Sequence, residues 1–278
     1  MLLCPYFLVK YESLKETEVN KKSTIVLKVC VLSAVLASAG CYQPTSYPEL
    51  ITAEYPSVEP LHVQHRVLGT SVQNRPITCL VLGQSPDVTL IMAAIHGNEP
   101  AGIPLVRRLE EHLLQNPDLL TGRRVLLLPV ANPDGAAYNS RYNANSVDLN
   151  RNFASANRLD DRRSGRSGLS EPEARAIEQL IRQYTPDRIV SVHQPLACID
   201  YDGPGAALAV RMAQFCDLPV KKLGARPGSL GSYAGVTVGI PIITFEMLPG
   251  DSELDLETLW QKYGKALIAA VVYPNTVE

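Results

Sequence analysis

"VTLIMAAIHGNE", Val88 to Glu99, runs through an apolar stretch interrupted only by Thr89 before it meets a histidine, a glycine and a glutamate. A strand with no polar alternation has to be covered on both faces, as strands are in the parallel sheets of α/β proteins. The pattern returns in "PITCLVLG", "RRVLLLPVANPDG", "DRIVSVHQ" and "IPIITFEM". Helical patterns fall between these runs: near Ile103 to Gln115, from Glu171, near Ala206 to Cys216, and from about Leu254. In "SEPEARAIEQLI", Ser170 with Glu173 three residues on has the layout of a capping box, and Pro172 suits a first helical turn. The expectation is a single α/β domain over residues 62–278, its mostly parallel or mixed central sheet flanked by helices. No internal repeat or second domain is visible.

The 278 residues are 46% hydrophobic and carry a formal net charge of -2. That balance supports the core of one medium domain and excludes a disordered or collagenous chain. It also argues against a general nucleic-acid binder, which needs a basic face to neutralise phosphates.

Upstream of this domain the composition changes. "KKSTIVLKVCVLSAVLASAGC", from Lys21, has two lysines, an apolar stretch and small residues ending at Cys41. This is the layout of a secretory signal, too short for a transmembrane helix; the alternative is a buried N-terminal helix. "ASAGC" resembles a bacterial lipobox, which implies a lipid anchor at Cys41 and a periplasmic, membrane-attached location. Residues 1–41 are read as an N-terminal extension and signal segment, and 42–61, rich in Pro and Tyr, as a tether. Beyond Cys41 only Cys79, Cys198 and Cys216 remain, which permits one disulfide at most.

The apolar runs end in polar residues: His96, "NPDG", His193 and Glu246. Ligands of open α/β sheets bind beyond the carboxyl ends of strands, so these features can converge on one site. "HGNE" puts His96 and Glu99 three residues apart around a glycine, and His193 can complete a His, Glu, His set for one zinc with a position left for water. An HxxE alone is weak and is usually an ordinary loop. His62 and His65 precede the first apolar run, and His112 lies among charged residues where a solvated helix face explains it. Glu246 is the candidate base, since an unpaired carboxylate after "IPIITF" is costly to bury; a salt bridge beneath the last helix is the structural alternative. "NPDG" reads as a simple turn.

In order, "HGNE", "NPDG", "DLNRNF", "SEPEA", a strand-end His and a later strand-end Glu resemble the zinc carboxypeptidase family of the carboxypeptidase A type. "SVHQPLACIDYDG" and "RPGSLGSYAG" resemble its murein peptide amidase A branch. The resemblance implies one Zn2+ per chain held by His96, Glu99 and His193, with Glu246 as general base and proton shuttle. It further implies Arg141 at the developing oxyanion, and Asn150 and Arg151 on the substrate's terminal carboxylate. The implied substrate is a murein tripeptide, cut between γ-D-glutamate and meso-diaminopimelate.

Two departures stand out. Ser146 occupies a position usually held by Gly, with an expected shift of the arginine loop. The tyrosine that closes over substrate in the digestive enzymes has no counterpart in "KKLGARPG", leaving Tyr201 and Tyr233 as suggested pocket residues, and Cys198 and Asp200 as pocket walls of unassigned role. The rival readings are a metallocarboxypeptidase on ordinary peptides, an aspartoacylase-like deacylase with a similar "HGNE" pair, and a non-catalytic, lipid-anchored peptidoglycan-binding module. A cytoplasmic location is the alternative to the periplasm.

Overall fold

A computed structural model describes residues 61–275. The signal segment, Cys41 and nearly all of the tether lie outside the described residues. Seven strands form one sheet: β1 (Val63–Thr70), β2 (Pro76–Leu82), β3 (Asp87–Ala93), β4 (Arg123–Leu128), β5 (Arg188–His193), β6 (Cys198–Asp202) and β7 (Ile242–Glu246). Their order is β1-β2-β4-β3-β5-β7-β6. The central four, β4, β3, β5 and β7, are parallel, while β1, β2 and β6 join antiparallel at the edges. The sheet is therefore mixed, with its parallel portion where the sequence is continuously apolar.

Each apolar run divides between two cores. In β3, Ile91 and Ala93 pack into one, and Leu90 and Met92 into the other. The first core also takes the apolar faces of α1 (Gly102–Gln115), α4 (Ala206–Ala213) and α5 (Leu256–Val272); the second takes α3 (Pro172–Tyr184). A short α2 (Pro133–Ala137) lies between β4 and α3 in the chain. Burying both faces of the central strands is the dominant stabilising term, about 25 cal/mol per Å² of apolar surface.

Two local expectations are corrected. The capping box does not form at Ser170: Glu171 is the N-cap of α3 and makes no side-chain cap. Pro172 opens the helix one residue later than a Ser170 cap requires. Glu173 is instead buried, accepting from the Asn143 side chain at 3.1 Å and the Val72 N–H at 3.2 Å. "NPDG" is more than a turn, because Asn132 caps α2 by accepting the Gly135 N–H at 2.8 Å. Asp134 is buried, bound to Ser71, Gln73 and Arg75 of the β1–β2 region.

His112 is half-buried against Trp260, with ring centroids 5.2 Å apart, so it packs α1 on α5 while remaining partly at the surface. Cys79, Cys198 and Cys216 are all free thiols. Among the described residues, no helix is long and apolar enough to cross a membrane.

Candidate metal centre

After β3 the chain turns to α1 and β4 on one side, whereas β5 pairs with β3 on the other. The crevice at the carboxyl ends of β3 and β5 is thus a switch point of the sheet. Gly97 is required there by close approach: a Cβ on it would lie 1.9 Å from the Gly135 carbonyl carbon. "HGNE" and "NPDG" therefore meet backbone to backbone, which fixes the turn carrying His96 and Glu99.

His96, Glu99 and His193 are buried, and each offers a donor atom within 4.8 Å of the others. The Glu99 carboxylate sits between the two rings, 2.7 Å from His96 Nδ1 and 2.8 Å from His193 Nδ1. Each ring's other nitrogen has its own partner: His96 Nε2 is 3.1 Å from Asp148 and His193 Nε2 is 3.0 Å from Ser191. Anchoring of this kind orients imidazoles toward a metal. Burial pushes the Glu99 carboxyl up, but His193 and His96 outweigh it and hold the group down to about 2. Two oriented imidazoles and an ionised carboxylate are a fitting donor set for one zinc ion.

Glu246 ends β7, pairs in register with His193 on β5, and lines the same cavity as the three donors. Burial, with the charge of Glu99 adding to it, raises its carboxyl above the ordinary glutamate range. Its one hydrogen bond is from the Leu196 N–H at 3.2 Å. No Lys or Arg of the described residues forms an ion pair with it, which disfavours the salt-bridge alternative.

Arg141 is held by Asp148, its Nε donating at 3.0 Å and its Nη2 lying 2.9 Å away. Nη1 is left 3.5 Å from Glu99 and 3.4 Å from His96, at the donor cluster. Asn150 and Arg151 line the cavity. Asn150 Oδ1 accepts the Leu230 N–H at 2.8 Å, which leaves its amide N–H groups for other partners. All seven sequence-assigned residues thus border one cavity.

Other suggestions fare differently. Tyr233 stacks on Phe153 with centroids 5.8 Å apart and donates toward Glu178, and Tyr201 lies under Lys222, so neither lines the cavity. Cys198 is buried and also absent from its wall, whereas Asp200 is part of it. Sequence reasoning missed Asp148, Ser191 and Arg226. Asp148 stands in the "VDLNRNF" motif, but its pairing with His96, 52 residues away, is visible only in the fold.

Ser146 has φ 61, a left-handed conformation that favours glycine. The loop is held by the Ser146 N–H donating to Asn143 at 3.0 Å, and Arg141 still reaches the donor cluster. Replacing Ser146 by Gly is expected to stabilise the protein by about 1 kcal/mol. Denaturant unfolding would measure it, and a loss of stability would contradict the strain.

A family model described as zinc carboxypeptidase matches residues 46–202. That span holds every site residue above except Glu246 and Arg226. The chain is 35% identical over 182 residues to murein peptide amidase A of Escherichia coli (strain K12), covering 59% of this chain and 72% of that protein. It is 27% identical over 171 residues to human carboxypeptidase D, covering 53% of this chain but 12% of that one. Among solved structures, murein-tripeptide amidase MpaA from Escherichia coli O157 matches with a TM-score of 0.63 and 27% identity, covering 79% of this chain and 96% of that one. Carboxypeptidase A from Helicoverpa armigera has the same fold, with a TM-score of 0.61 at 22% identity over 76% of this chain and 69% of that one.

Proposed function

This chain belongs to the zinc carboxypeptidase family, and from that premise we propose that it is an amidase cutting the γ-D-glutamyl–meso-diaminopimelate bond of murein peptides. The observation that carries this reading is the 35% identity to murein peptide amidase A across 72% of that protein. One zinc ion per chain is assigned to His96, Glu99 and His193. When bound, zinc supplies a Lewis acid that polarises the scissile carbonyl and makes water more acidic.

The chain's own residues do the rest. Glu246, its proton affinity raised by burial, takes the proton of the attacking water and delivers it to the departing amine. Arg141 Nη1 donates to the oxygen on which negative charge develops, and Asp148 keeps the guanidinium aimed there. Asn150 and Arg151 hold the carboxylate of the departing residue, a role suited to the fixed fork of guanidinium donors. The completeness of this set favours an enzyme over a binding module.

Comparing kcat/KM on a γ-D-glutamyl–diaminopimelate tripeptide and on an ordinary peptide of similar length tests the substrate class. Preference for the tripeptide by about 100-fold or more, equivalent to about 2.7 kcal/mol, is expected. Preference for the ordinary peptide would return the reading to a general carboxypeptidase.

For location, we propose attachment to the periplasmic face of a membrane through lipid on Cys41, as supported by the lysine pair, the apolar stretch and "ASAGC". Cys41→Ser should move the protein from the membrane to the soluble fraction, because stable anchoring needs the acyl chains. Unchanged fractionation would refute the anchor.

A further inference from the structure

The strand pair β6–β7 forms a wall of the cavity, and its inward side chains carry more acid than the hydrolytic step uses. Asp200 and Asp202 are two residues apart on β6 and share a face, opposite Thr244 and Ile242 of β7. Both line the cavity and both are buried, at 6% and 4% exposure.

Their charges are handled differently. Asp202 has its counter-ion, since Lys222 Nζ lies 2.9 Å from Oδ1. Asp200 forms no ion pair among the described residues: its carboxylate is met by backbone, the Leu223 N–H donating to Oδ1 at 2.8 Å. Among the described residues no side chain donates a hydrogen bond to Asp200, and the residue borders the cavity. A buried carboxylate without a cation is expensive, and a ligand cation that pairs with it recovers that cost. Burial, with the charge of Asp202 adding to it, accordingly raises the Asp200 carboxyl above the ordinary aspartate range.

The same cavity also carries cations. Asn150 and Arg151 are assigned to one carboxylate, and Arg226, three residues beyond Leu223, also lines the wall and forms no ion pair among the described residues. An acid and a further guanidinium beside an existing carboxylate site suit a departing residue whose side chain ends in both an ammonium and a carboxylate.

Resting on the amidase reading above, we propose that Asp200 is a specificity-determining residue that receives the side-chain ammonium of the departing amino acid. It acts in binding and takes no part in proton transfer. Arg226, on the same loop as Leu223, is placed to serve the neighbouring carboxylate.

The test compares the wild-type protein with Asp200→Asn on three γ-D-glutamyl tripeptides, ending in meso-diaminopimelate, in L-lysine and in L-2-aminopimelate. Lysine lacks only the distal carboxylate of diaminopimelate, and 2-aminopimelate lacks only its distal ammonium. Asp200→Asn should lower kcat/KM by about 30-fold on the two ammonium-bearing peptides, the loss expected for a hydrogen bond to a charged group. On the 2-aminopimelate peptide it should change by less than about 3-fold, which also shows that the variant folds. An equal loss on all three, or no loss on any, overturns the assignment. Calorimetric binding of free diaminopimelate and free 2-aminopimelate to both proteins reads the same contact without turnover. If the wild type cuts none of the tripeptides, the amidase reading fails, while a wild-type preference for diaminopimelate that Asp200→Asn erases still supports Asp200. Equal binding of the two free amino acids by the wild type refutes it.

Discussion

Glu246→Gln is expected to lower kcat/KM by about 10³- to 10⁴-fold while leaving one zinc bound per chain. The substitution keeps the size of the side chain and an oxygen to accept the Leu196 N–H, so the end of β7 should stay in place. What it removes is a carboxylate able to take and return a proton. Glu246 is assigned to that work and not to the metal, so metal content and turnover should separate in this variant. Turnover assays beside elemental analysis of the purified protein would show it. Full activity would displace Glu246 as the base; loss of zinc along with activity would make it a ligand.

Replacing a donor should have the opposite signature. His193→Ala removes one of the three proposed protein ligands and leaves Glu99 with one imidazole, so stoichiometric zinc and hydrolysis should be lost together. Asp148→Asn is the graded comparison: it keeps the three donors but disturbs the anchor of His96 and of Arg141, and should weaken zinc binding by about 10- to 100-fold. Competition with a chelator of known affinity orders the three proteins. An Asp148→Asn protein that holds zinc as tightly as the wild type would remove Asp148 from the support of the site. A His193→Ala protein that does so would remove His193 from the ligand set.

The parallel centre of the fold was legible because burial on both faces leaves a continuous apolar run, as in Val88 to Ile95. The antiparallel edges were not. β1 is largely exposed and mixed in composition, and β6 reads "CIDYD", with acids turned inward to a cavity. Inward acids break the usual inside-outside pattern, and they do so because the cavity, not the core, is what they face. The ligand candidates and the base could be named because each closes an apolar run at a strand end. Asp148 could not be placed, because it holds the imidazole of His96 from a distant segment, and Ser191 could not, because a serine two residues before a histidine on one strand is ordinary sequence. Tyr201 and Tyr233 were misplaced because residue type alone does not say which face of an element meets the cavity; Tyr201 alternates outward from Asp200, and Tyr233 packs on Phe153. Glu173 was taken for a cap because sequence spacing does not reveal that Asn143 and Val72 would claim it.

The proposed function turns on which bond is cut. Mass spectrometry of the products formed from a γ-D-glutamyl–diaminopimelate tripeptide by the zinc-loaded protein in ¹⁸O-water reads it directly. The expected products are free diaminopimelate without label and a dipeptide carrying ¹⁸O in the γ-carboxylate of its glutamate. Cleavage at the other peptide bond, or an intact tripeptide in the presence of stoichiometric zinc, would contradict it.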